Sequence, residues 1–89
     1  MMIETHLEAA GDPDGMRAWL EQAKPADRVV YFTGGDLHEA ALRDEAVKSV
    51  RDIVWQAYRE SKVRLCQRRL REGRYAYIAE RRRNVEAVQ

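Results

Sequence analysis

Cysteine is almost missing from this chain. Its one thiol, Cys66, has no internal partner, which excludes a disulfide-stapled scaffold and makes a reducing cytoplasm the expected compartment. Histidine is nearly as scarce. His6 and His38 are the only two, and with Cys66 they match no zinc spacing, no CxxC and no HExxH. Neither a GxxxxGK[ST] nor a GxGxxG pattern occurs, so no metal and no cofactor is expected, and an enzyme is not expected either. Long apolar runs are also lacking, since none approaches the roughly 20 residues of a membrane span. The opening MMIETHLEAAGDPDG has acidic residues and no basic stretch before an apolar one, so it does not read as a secretory signal.

What is present is charge. Of the 89 residues 35% are charged and 45% apolar, which suits one small folded domain. The net charge of +1 conceals a polarity. Residues 1–58 hold 6 Lys/Arg against 11 Asp/Glu, whereas residues 59–83 hold 10 against 3. A basic region on a near-neutral protein is a candidate footprint for nucleic acid, because a polyanion meets the local field and not the average.

Residues 1–14 read as a flexible or loosely docked segment, because Gly11, Pro13 and Gly15 interrupt the helical spacing of Ile3, Leu7 and Ala10. Met16, Trp19, Leu20 and Ala23 then form an amphipathic stripe, with Asp12 or Asp14 to cap it and Pro25 to end it. The β-branched and aromatic run Arg28-Val-Val-Tyr-Phe-Thr33 predicts a largely buried strand. Asp36 with Glu39 gives a capping-box pattern for a short helix over 37–43. The 18 residues from Asp44 to Ser61 contain no Gly or Pro and predict the longest helix. Residues 63–69 and 74–82 predict two strands around Arg71-Glu72-Gly73. A three-residue loop with Gly73 left-handed sets Leu65 opposite Ala79, Cys66 opposite Ile78 and Arg64 opposite Glu80; a two-residue Glu-Gly turn would shift that register. Residues 84–89 read as a frayed tail.

The expected architecture is α+β with the order α-β-α-α-β-β, ending in a hairpin. The span from about Met16 to Arg83, with DRVVYFTGGDL as first strand and VRLCQRRLREGRYAYIAER as terminal hairpin, resembles a small winged helix-turn-helix domain over residues 15–83. QRR followed by RYAYIA also resembles short proteins of bacteriophages and prophages. The winged-helix resemblance implies DNA binding, with the second helix of the pair in the major groove and the hairpin wing on the backbone.

The long helix makes its own case. At about 100° per residue, Ala46, Val47, Val50, Ile53, Val54, Ala57 and Tyr58 gather on a core face. Lys48, Arg51, Trp55, Arg59 and Lys62 line up at offsets 0, +3, +7, +11 and +14. A line of cations around a tryptophan suits a helix laid along a phosphate backbone. The same stripe also fits a protein interface, including a homodimer held by Trp19, Trp55 or the N-terminal segment, or a plain solvated face. The hairpin's basic residues are all arginine, the planar fork suited to phosphate. Arg64 lies on its first strand, and Arg68, Arg69, Arg71 and Arg74 cluster at its turn. Edge-strand protection against aggregation is the bland alternative.

Other clusters have simpler explanations. Thr33-Gly34-Gly35-Asp36 reads as a turn; Asp36 and Glu39 cap a helix beside a surface His38; Cys66 packs on a strand; Tyr75 and Tyr77, placed either to stack on bases or to cover the core, fit the core better, with Ile78 facing away. The expectation is a non-enzymatic duplex-DNA-binding regulator contacting DNA through Lys48, Arg51, Trp55, Arg59, Lys62, Arg64, Arg68, Arg69, Arg71 and Arg74. The alternative is an inhibitor or adaptor whose basic face docks on an acidic host protein.

Overall fold

The computed structural model describes residues 3–7 and 12–83. Within them the order is β1 (Glu4–His6), α1 (Pro13–Gln22), β2 (Arg28–Gly34), α2 (Leu37–Arg43), α3 (Glu45–Arg59), β3 (Val63–Arg71) and β4 (Arg74–Arg81). The fold is α+β, with three helices and a four-stranded mixed sheet ordered β1-β2-β4-β3. β1 runs parallel to β2, and the other neighbours are antiparallel.

The added first strand corrects the expected order. Glu4–His6 lies within the segment expected to be loose, yet it pairs with Arg28–Val30. Its backbone makes the contacts: Arg28 N–H donates to the Ile3 carbonyl at 2.8 Å and Leu7 N–H to that of Val30 at 3.2 Å. The expected tail at 84–89 lies outside the described residues.

Each helix is started by an aspartate. Asp12 accepts from Gly15 N–H, and a Cβ at residue 15 would push that carboxylate aside. Asp36 accepts from His38 and Glu39 N–H, and Asp44 from Ala46 and Val47 N–H. Glu39 pairs forward with Arg43 at 2.9 Å. α3 ends two residues before the expected Ser61 because Ser61 adopts φ +62, which turns the chain into β3.

The helices pack on one face of the sheet. Val29, Tyr31, Val63 and Ala79 meet Met16, Leu37, Ala41, Val47, Val50, Val54 and Ala57. Burying each valine contributes about 1.5–3 kcal/mol. Tyr58, expected on the core face, is instead 54% exposed. On the sheet's other face Val30, Ala76 and Ile78 form a second small cluster with Cys66. Tyr77 lies on the helix side, where its hydroxyl donates to the Gly35 carbonyl at 2.6 Å and accepts from Leu37 N–H at 3.3 Å. It thereby pins the turn between β2 and α2.

The hairpin reconciles both expected turns. Arg64 faces Glu80, Leu65 faces Ala79 and Cys66 faces Ile78. A register shift between Arg69 and Arg71 then places Arg71 directly opposite Arg74 across Glu72-Gly73. Gly73 has φ +73, the left-handed conformation that glycine adopts without penalty.

Candidate nucleic-acid interface

Strand alternation separates the hairpin arginines into two groups. Arg64 and Arg68 share the outer sheet face with Cys66, and there they meet carboxylates. Glu80 lies 3.2 Å from Arg28 Nε and 3.8 Å from Arg64. Arg68 donates both terminal nitrogens to Glu4, at 3.1 and 3.0 Å. Arg68 and Glu4 stand on the two edge strands, so this fork-to-fork pair spans the outer face. The hydrogen bonds from Arg68 hold the Glu4 carboxyl below its usual range, and those to Glu4 push the Arg68 guanidinium up.

Arg69, Arg71 and Arg74 are different. All three are exposed, and among the described residues none has a carboxylate within 4.0 Å. Arg71 faces Arg74 across the ladder, a like-charge pair that costs stability.

On α3 the expected stripe is broken. Lys48 pairs with Asp52 at 3.3 Å, and Lys62 with Glu60 at 3.0 Å. Burial pushes the Asp52 carboxyl up, but hydrogen bonds from Lys48 and Arg51 outweigh it and hold the group low. Hydrogen bonds from Gln56 and Lys62 likewise lower Glu60. Arg51, expected on the presented stripe, is only 11% exposed in its side chain. Its guanidinium reaches His38 Nδ1 at 3.1 Å and Asp52 at 3.3 Å, and it lies 4.9 Å from the centre of the Trp55 ring. Its Nε is buried with no hydrogen-bond partner among the described residues. The wheel put Arg51 beside its cationic neighbours correctly, but α2 covers that stretch of helix and turns a surface cation into a packed one.

Trp55 remains 42% exposed, and Arg59 is exposed with only a neutral contact among the described residues, 3.2 Å to Gln56. Thus Trp55, Arg59, Arg69, Arg71 and Arg74 are presented; Lys48, Lys62, Arg64 and Arg68 are engaged by carboxylates; Arg51 is inside.

A feature not evident from the sequence adjoins Trp55 and Arg59. α3 leaves the β3 side of the sheet partly uncovered, with Leu65 37% exposed. Two adjoining clefts open there. One, of about 330 Å³, lies among Tyr31, His38, Arg51, Leu65, Gln67 and Tyr77, and burial pushes the Tyr31 phenol up. The other, of about 440 Å³, lies among Trp55, Tyr58, Arg59 and Leu65. Trp55 and Leu65 line both. The one available signal for Tyr58 was its place beside Arg59 at the margin of the apolar arc.

No group of three or more His, Cys, Asp or Glu is placed to hold a metal ion among the described residues. None of their helices is long and apolar enough to cross a membrane. No family model, curated protein or solved structure matches the chain.

Proposed function

We propose that the protein binds nucleic acid without catalysing a reaction, as a DNA-binding regulator of winged-helix type. The α1-β2-α2-α3-β3-β4 succession supports the winged-helix reading, with β3-β4 as wing and duplex DNA as the partner it implies. The observation that carries the proposal is the unpaired arginine cluster at the hairpin end. Three exposed cations, two of them directly opposed, raise the energy of the free protein. A phosphate backbone would relieve that repulsion and accept their forks. Arg59 and Trp55 extend the contact surface along α3. Lys62 and Arg64 add to the local field, Arg68 acts mainly in the sheet, and Lys48 and Arg51 act mainly within the fold.

Anisotropy of a labelled mixed-sequence duplex, followed over several salt concentrations, tests the proposal. Four free cations on phosphate give a log–log slope near −4. Absence of binding at about 50 mM salt, where the electrostatic contribution is strong, would reject it. The second reading, a protein partner, is favoured by the place of β3 at the sheet edge among the described residues and by Leu70, 49% exposed on it, with the free arginines calling for an acidic one. It predicts a co-purifying protein that survives nuclease treatment.

A further inference from the structure

The stretch Trp55-Gln56-Ala57-Tyr58-Arg59 sets two aromatic rings and a cation around one apolar cleft, with Leu65 as the opposite wall. Both rings are substantially exposed, Tyr58 at 54% and Trp55 at 42%. The indole is also held from behind. The Arg51 guanidinium sits over one side of it, and that cation is itself fixed by His38 and Asp52. A ring backed in this way is an ordered platform and not a freely rotating side chain.

A cation borders the platform. Arg59 is on the cleft wall, and Arg69 follows Gln67 on the same face of β3. Neither has a carboxylate partner among the described residues. An intact duplex offers such a surface phosphates but keeps its base faces stacked within the helix. An unpaired base has a free π-face for Trp55 or Tyr58, and an adjoining phosphate matches Arg59.

Resting on the nucleic-acid reading above, we infer that the Trp55–Tyr58–Leu65 cleft receives an unstacked nucleobase, so the protein favours DNA containing unpaired bases over a fully paired duplex. Arg51 is then a positioning residue: it holds the indole and does not touch the nucleic acid.

The test compares three labelled probes at one salt concentration: an oligothymidylate of about 12 nucleotides, within the range such surfaces cover, an abasic strand of equal length and charge, and a paired duplex. The oligothymidylate is expected to bind at least about tenfold tighter than the abasic strand, the effect of stacking one base. Trp55→Ala should bring those two affinities together. Trp55→Phe should retain part of the difference, and the wild-type comparison stands whether or not either variant folds. Equal binding of the oligothymidylate and abasic strands by the wild type overturns the inference while leaving the nucleic-acid reading intact. Failure to bind any of the three probes overturns that reading as well. Displacement of the oligothymidylate by polyglutamate as readily as by unlabelled oligothymidylate also overturns the inference, and points to an acidic protein.

Discussion

Arg68 and Arg69 are neighbours in the chain and opposites in the molecule. Arg68 ties β3 to Glu4 on the far edge of the sheet. Arg69 turns to the other face, where no described carboxylate meets it. The same division holds more widely, with Arg28 and Arg64 sharing Glu80 while Arg71 faces Arg74. A count of basic residues treats these groups alike. Their surroundings make one a set of sheet fasteners and leave the other an exposed cationic surface.

The largest expected effect comes from reversing the free group. Arg69, Arg71 and Arg74 changed together to Glu should weaken binding to a labelled duplex on the order of 100-fold at low salt. The melting temperature should not fall. A comparable loss after changing Arg28, Arg64 and Arg68 would erase the distinction between the two sets.

Arg51 sharpens the contrast from inside the fold. Arg51→Ala should lower unfolding free energy in urea by about 1–3 kcal/mol, because it strips partners from His38, Asp52 and Trp55. Arg59→Ala should change stability by no more than about 0.5 kcal/mol. Smaller than the Arg51 effect, and opposite in sign, Arg71→Thr should raise stability by about 0.2–1 kcal/mol by removing the like-charge pair, while weakening DNA binding.

The smallest effect is a pH dependence. Because Arg68 holds the Glu4 carboxyl low, the pair stabilises the fold above the usual carboxylate range and loses that contribution as pH falls through the depressed value. The melting-temperature gap between wild type and Arg68→Ala should therefore be present at neutral pH and close on acidification. A gap that persists in acid would mean that Arg68 acts through packing alone.

Much of the architecture was legible because its signals are local. Aspartate caps, the Gly73 turn and the spacing of Met16, Val47, Val50 and Val54 set helices, hairpin and core, while the choice between two registers was settled only by the shift between Arg69 and Arg71. β1 was not legible, since Glu-Thr-His has little strand character and owes its conformation to backbone bonds with β2. The surroundings of the candidate site were legible in part. The arginines and Trp55 stood out, but their sorting depends on Glu4 and Glu80, distant in sequence, and on α2 covering Arg51. The cleft depends on how far α3 extends over the sheet, which no single helix wheel contains.

The most direct measurement is the affinity of Arg68→Ala and Arg69→Ala for the same labelled duplex across a salt series, beside their melting temperatures. The account predicts that Arg69→Ala loses affinity several-fold and flattens the salt slope by about one, with its melting temperature unchanged. Arg68→Ala should lose melting temperature and keep the slope. Equal losses of affinity in the two variants, or a greater loss in Arg68→Ala, would contradict it.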